Sequence, residues 1–219
     1  MLKGGRLQFN FFKADEDKYK NLAGFKYHDK FLDREYEDRL VEDIRELPFR
    51  EFDFHGYKGK RRVVSFGWQY EYSGSGALRK AQAIPSFLLG LQELVASFAG
   101  LEAGEFQQVL VTEYGPGAGI GWHRDKPVFG RVAGVSLLAP CVLRFRKRIT
   151  KGGKWERVNV FAEPRSIYLL SGAARSEWQH SILRVDSLRY SITFREVLTN
   201  QSANQPRVTS NKNFSRIEK

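Results

Sequence analysis

His123 and Asp125 stand two residues apart in the stretch GIGWHRDKP, residues 119–127. On extended backbone, side chains at i and i+2 project to the same side, so this imidazole and carboxylate can reach one ion. A His-x-Asp pair arises easily by chance and needs support from elsewhere in the chain. His180 follows 57 residues later, in SEWQHSI. Two imidazoles and a carboxylate on one face of an ion leave three positions open, an arrangement suited to non-haem Fe(II) and oxygen. Zinc accepts the same donors, so the triad alone chooses neither metal nor reaction.

Two arginines narrow the choice. Arg189 and Arg195, in RYSITFR, are six apart, an even spacing that turns both to one side of a strand. Two inward cations would be buried unpaired charge unless an anion filled the space. A small dicarboxylate answers that need, with bidentate pairing at one end. A zinc hydrolase would want a general base beside the ion and has no use for both arginines.

The elements that must position these groups are mostly strands. From residue 106 onward, QQVLVTEY, VAGVSLL, CVLRFRKR, RVNVFA, SIYLLSG, QHSILRV and RYSITFRE are short, rich in β-branched and aromatic residues, and separated by turn residues. Many short strands with few helices predict a mainly β fold with flanking helices, a sandwich or jelly roll. Upstream, Tyr36, Leu40, Ile44 and Leu47 have helical spacing behind Asp33, a natural N-cap. Phe87, Leu88, Leu91, Leu94, Val95 and Phe98 form the apolar face of a second helix, opened by Pro85 and closed by Gly100. Residues 1–30 read as extended arms and turns. Residues 200–219 read as a polar, mobile tail. Gly115, Gly117, Gly119 and Gly121 lack the Lys-Ser/Thr of a phosphate loop and read as a flexible turn into the His-x-Asp strand.

The chain has 219 residues, which favours one domain over residues 1–199. Lys plus Arg number 36 against 25 for Asp plus Glu, so the formal charge is +11. That balance points to a polyanion, nucleic acid before anionic membrane, and argues against a protein substrate. The one cysteine, Cys141, excludes a disulfide framework and fits a reducing, intracellular compartment (cytoplasmic, or nuclear in a eukaryote). No apolar run approaches the length of a membrane span, and the N-terminus lacks the apolar core of a signal peptide. A monomer is expected.

TEYGPGAGIGWHRDK, SIYLLSGAARSEWQHSI and RYSITFRE, in that order, resemble an AlkB-type Fe(II)/2-oxoglutarate dioxygenase over about residues 105–196. The resemblance implies a double-stranded β-helix core. It implies iron on His123, Asp125 and His180. Arg189 would clamp the distal carboxylate of 2-oxoglutarate, and Arg195 would lie near the metal-side carboxylate and Asp125. Tyr114 would hydrogen-bond the cosubstrate. Thr112 and Ser191 stand where the family often has asparagines, keeping a hydroxyl at each place. Pro127 stands where some members carry an acid that touches the target base. The implied reaction is oxidative demethylation of N-alkylated bases in DNA or RNA, with molecular oxygen as co-reactant. Residues 1–105 would then form an N-terminal extension with helices and a nucleotide-recognition lid, and residues 106–199 the core.

Two further stretches bear on the substrate. Phe66, Trp68, Tyr70 and Tyr72 alternate in RRVVSFGWQYEY, so one extended strand would show four aromatics on one face, a stacking wall for an extruded base. Arg61 and Arg62 just before them would meet phosphates. Arg144, Arg146 and Arg148 share one face of LRFRKR, and Lys151 and Lys154 continue the charge around a turn at Gly152-Gly153. With Leu143 and Phe145 facing inward, this predicts an outward cationic hairpin that binds backbone without reading sequence. Arg124 and Lys126 alternate with the ligands and are expected to turn away from the metal. The same chemistry on a modified tRNA nucleoside or a protein side chain is the alternative, with a non-catalytic nucleic-acid-binding module behind it.

Overall fold

The computed structural model describes residues 19–54, 57–70, 78–149 and 153–198, with side chains for all of these except 52–54 and 57–59. In chain order the elements are β1 (Phe25–His28), α1 (Arg34–Arg45), β2 (Arg50–Phe54), β3 (Tyr57–Phe66), β4 (Trp68–Tyr70), β5 (Leu78–Lys80), α2 (Ser86–Ala99) and β6 (Gln108–Tyr114). They continue with β7 (Ile120–His123), β8 (Phe129–Leu137), β9 (Cys141–Arg148), β10 (Trp155–Ala162), β11 (Ile167–Leu170), α3 (Gly172–Ser176), β12 (Gln179–Ile182) and β13 (Arg189–Val197). The fold is mainly β with flanking helices, as the strand-rich texture predicts.

Seven strands form a major sheet in the order β1-β11-β8-β13-β6-β3-β2, and four form a minor sheet in the order β10-β9-β12-β7. All of these neighbours pair antiparallel. Strands β1, β2 and β3, from the segment before residue 105, lie in the major sheet. Residues 25–28, expected as arm or turn, pair with β11.

Alternation along β13 sorts the molecule into layers. Tyr190, Ile192 and Phe194 enter a core beneath α1 and α2 with Leu40, Ile44, Leu88, Leu91 and Val95. The odd residues Ser191, Thr193 and Arg195 face the minor sheet and line a cavity there. A second core, with Phe145, Val160 and Trp178, fills the rest of the space between the sheets. Leu88, Leu91 and Val95 are fully buried, each stabilising the fold by about 1.5–3 kcal/mol. Asp33 caps α1 by accepting from the Tyr36 amide at 2.7 Å, and Gly100 ends α2 in the left-handed region at φ 69°.

One charge in α1 escapes the helical pattern. Glu37 is buried because it accepts from the Leu138 amide and from Arg165 Nη1, both at 2.8 Å. Leu138 and Arg165 have left-handed backbone (φ 69° and 64°), and this carboxylate ties both irregular turns to the helix.

Candidate metal and cosubstrate site

The cavity between the sheets has a volume of about 540 Å³, and His123, Asp125 and His180 all border it. Strand pairing brings the histidines together: His180 of β12 is the cross-strand partner of His123 on β7, with ring centroids 4.2 Å apart. Asp125 lies two residues past the end of β7, and its Oδ2 is 3.6 Å from His180 Nε2. Asp125 Oδ1, its other oxygen, meets Arg195 at 3.1 Å. His123 Nδ1 donates to the Gly121 carbonyl at 2.9 Å. That bond leaves the Nε2 lone pair available to an ion.

The electrostatics suit a cation. Burial holds the His123 and His180 rings below the ordinary imidazole value, His180 at about 3, against the opposing pull of Asp125. Burial alone would raise the Asp125 carboxyl. Arg195, aided by both histidines and Arg175, instead holds it below the usual carboxylate range. At neutral pH the three groups are therefore two neutral imidazoles and one carboxylate, the protonation states that metal binding requires.

These shifts carry a stability consequence. Each histidine takes up a proton more readily unfolded than folded. The metal-free protein should keep full stability above the unfolded value near 6.5 and lose it as pH falls toward the folded values. Each group contributes up to about 1.4 kcal/mol per pH unit in that window. Urea denaturation of metal-free protein between pH 7.5 and 5 measures the slope, which His180→Gln should reduce. A flat profile would contradict the buried neutral rings. The acid limit of metal binding should likewise fall below pH 6.5, lower than unperturbed histidines would place it.

The two arginines take different positions. Arg195 is committed to the protein: it meets Asp125 and also donates to Gln108 Oε1 at 3.0 Å. Arg189 is 1% exposed, donates through Nε to Ser136 Oγ at 3.1 Å, and packs its guanidinium 5.0 Å from the Tyr114 ring centroid. Its Nη1 is buried without a hydrogen-bond partner among the described residues. A buried cation with an unused donor costs stability unless an anion completes it, and Tyr114, against which the guanidinium packs, lines the cavity where a 2-oxoglutarate carboxylate would reach it. Tyr114, Thr112 and Ser191 line up with it, since Arg189 pairs with Tyr114 and Ser191 with Thr112 across β13 and β6. Burial pushes the Tyr114 hydroxyl up, against the pull of Arg189, so it remains a neutral donor.

Two residues important to the geometry escaped sequence reasoning. Arg175 on α3 donates to the carbonyls of Lys126 (2.7 Å), Phe129 (2.6 Å) and Gly130 (2.9 Å), clamping the turn that carries Asp125. Nothing in GAARSEW marks it, because a five-residue helix has no readable period. Tyr168 borders the cavity beside Val132 and Leu143. Its partner across the strands is Gly134, where a Cβ would lie 2.3 Å from the Tyr168 ring. A glycine opposite a tyrosine was the available signal.

Several expectations about the substrate side change. Phe66 is 3% exposed and belongs to the core under the helices. Gly67, at φ 73°, ends β3, so the aromatics do not share one strand. Trp68 and Tyr70 sit on a separate two-stranded ribbon, β4 with β5, and are half-buried. Tyr72 and Lys151 lie outside the described residues. Arg61 borders the cavity, but strand alternation sends Arg62 the other way, where it forms a bidentate pair with Glu113 (2.7 and 2.9 Å) and lies over Phe49. Arg124 and Lys126 do not leave the site: both border it. Arg124 donates to the Ser176 carbonyl at 3.1 Å, and Lys126 Nζ sits 5.2 Å from the Tyr70 ring centroid. Pro127 lines a separate pocket that also borders Asp125, and not the cavity.

The cationic hairpin is present as β9 and β10, with Leu143 and Phe145 buried. Its arginines are stacked rather than free. Arg144 and Arg146 lie 4.8 and 4.3 Å from the Trp122 ring centroid, and Arg146 and Arg148 lie 4.4 and 5.1 Å from that of Trp155. Arg144 also donates to Ser181 and Arg146 to Gln179. Lys154 is exposed at the hairpin turn.

The model of the 2OG-Fe(II) oxygenase superfamily matches residues 24–207. The chain is 27% identical over 171 residues to the alkylated DNA repair protein ALKBH8 homolog of Arabidopsis thaliana, covering 63% of this chain and 49% of that protein. It is 28% identical over 159 residues to the mitochondrial alpha-ketoglutarate-dependent dioxygenase alkB homolog 7 of Mus musculus, covering 72% and 66%. It thus spans about half the length of the Arabidopsis relative. The structure of OsALKBH1 shares the fold at a TM-score of 0.55 with 16% identity, covering 79% of this chain and 96% of that one. With a family match across most of its length, the chain belongs to the 2OG-Fe(II) oxygenase superfamily, whose members use Fe(II) and 2-oxoglutarate, and the relatives it is similar to carry AlkB-type names.

Proposed function

We propose that the chain removes N-alkyl groups from nucleic acid bases in DNA or RNA, with His123, Asp125 and His180 holding the iron. Iron and 2-oxoglutarate, when bound, supply an oxidation in which oxygen converts the cosubstrate to succinate and CO2 and hydroxylates the alkyl carbon. A hydroxylated N-methyl group then leaves as formaldehyde as its C–N bond breaks and the hydroxyl proton passes to the nitrogen, freeing the base. The chain's residues bind, orient and exclude water. Arg189 and Tyr114 take the distal carboxylate, with Thr112 and Ser191 beside it. Arg195 holds Asp125 through Oδ1, which would leave the second carboxylate oxygen for the metal. Leu110, Val132 and Leu143 keep the cavity wall apolar.

The observation that carries the nucleic-acid reading is the cavity lining, where the cations Arg61 and Lys126 border the same space and Lys126 lies against Tyr70. Cations take phosphates and a ring stacks on a base. Formal charge of +11 supports the same partner. The test is formaldehyde release from methylated DNA and RNA oligonucleotides with anaerobically loaded Fe(II), 2-oxoglutarate and oxygen. Release should exceed the uncoupled background with at least one oligonucleotide. Background release with every oligonucleotide, while 2-oxoglutarate is still consumed, would move the substrate to a modified tRNA nucleoside or a protein side chain.

A further inference from the structure

A second groove, of about 580 Å³, opens on the outer side of the β7–β12 edge. It shares Ile120, Gly121 and Ile182 with the active-site cavity, so one strand's width separates the two. Its charged lining is Lys60, Arg144 and Arg184, with no acid among the lining residues. Lys60 and Arg184 are exposed. Arg144 is held in place by Ser181 and by Trp122.

The floor is bare backbone. Gly117, Gly119 and Gly121 all line the groove. At Gly117 and Gly121 a Cβ would meet nothing within 4 Å, so the space there is open. At Gly119 it would come 2.8 Å from the Ile182 carbonyl, so glycine is what lets the two strands approach. The glycine run that looked like a flexible turn thus forms a smooth, cation-flanked track leading to the ligand His123.

We propose that this groove carries the phosphodiester backbone of a single nucleic-acid strand, with phosphates on Lys60, Arg144 and Arg184 and the target base turned over Gly121 into the cavity. The inference rests on the nucleic-acid reading above and specifies its strand state. Three cations without an acid call for a polyanion. A groove of this volume, about 580 Å³, is of small-ligand size and matches a nucleotide or two of one strand.

The test uses the full chain and its Lys60→Glu/Arg184→Glu double variant. Both substitutions are at exposed positions, and an unchanged thermal midpoint establishes that the fold survives. Fluorescence anisotropy with a labelled, unmethylated single-stranded oligonucleotide, a matched duplex and a mononucleotide reads the groove directly. The variant should bind the single strand at least tenfold more weakly. Its plot of log affinity against log salt should be shallower by about 1.4, at about 0.7 per phosphate contact. Wild type should prefer the single strand to the duplex. Unchanged single-strand affinity in the variant overturns the proposal. So does a wild-type preference for duplex, or a mononucleotide bound as tightly as the oligonucleotide. If wild type releases no formaldehyde from any methylated strand but the variant still loses single-strand binding, the groove stands and the demethylase reading fails. If wild type demethylates and the variant matches it in single-strand affinity, the groove alone fails.

Discussion

Replacing His123 with alanine is expected to lower iron-dependent 2-oxoglutarate consumption by more than about 100-fold, since groups that merely orient a ligand already cost 10–100-fold when removed. The metal-free fold should change by less than about 1 kcal/mol, because the ring borders a cavity and no packed neighbour loses an ionic partner. Asp125→Ala should lose metal binding as well but behave differently in stability. It strands Arg195, whose side chain is 11% exposed and whose anionic partner is Asp125. Breaking such a buried pair costs about 3–5 kcal/mol. Mn(II) calorimetry and urea denaturation on the two variants separate the effects. If His123→Ala keeps wild-type Mn(II) affinity and turnover, His123 is not a ligand. If Asp125→Ala unfolds at the same urea concentration as wild type, the Arg195 pair is not structural.

Arg189→Met should raise the KM for 2-oxoglutarate by roughly 10–150-fold, equivalent to the 1.5–3 kcal/mol of a hydrogen bond to a charged group. The same change should leave the protein without cosubstrate at least as stable as wild type, because it deletes a buried donor that nothing among the described residues satisfies. Stabilisation of the thermal midpoint by 2-oxoglutarate should disappear. Arg189→Lys keeps the charge but not the planar fork, and should fall between the two. The opposing signs are the diagnostic: a residue needed only for packing would lose stability on substitution and leave the KM near wild type. An Arg189→Met protein with an unchanged KM would remove the guanidinium from cosubstrate binding.

The legible part of the molecule is the part governed by local period. Asp33 and Gly100 bracket helices where their capping chemistry says they should. The CVLRFRKR strand runs from Cys141 to Arg148 as its alternation predicts. The even spacing of Arg189 and Arg195 does place both on the inner side of β13, with Tyr190, Ile192 and Phe194 on the other. Alternation misled where the backbone left the extended region. Gly67 turns at φ 73°, and the four-aromatic wall breaks there. Glu37 reads as one more solvated helix charge, and only two left-handed turns 101 and 128 residues away make it a buried acceptor.

By itself the sequence determined the donor types, their order and their parity along strands: two imidazoles, a carboxylate and two arginines with the right neighbours to share a side. These follow from covalent order and a two-residue repeat, which need no knowledge of distant contacts. Only the tertiary structure decided which of those groups are already satisfied. Arg195 is spent on Asp125 and Gln108 while Arg189 keeps a free nitrogen. Arg175 spends its donors on three carbonyls of the turn that carries Asp125. Arg144, Arg146 and Arg148 are stacked on Trp122 and Trp155 instead of standing free in solvent. Satisfaction is a property of pairs far apart in the chain, fixed by sheet register and burial, and neither can be read one residue at a time.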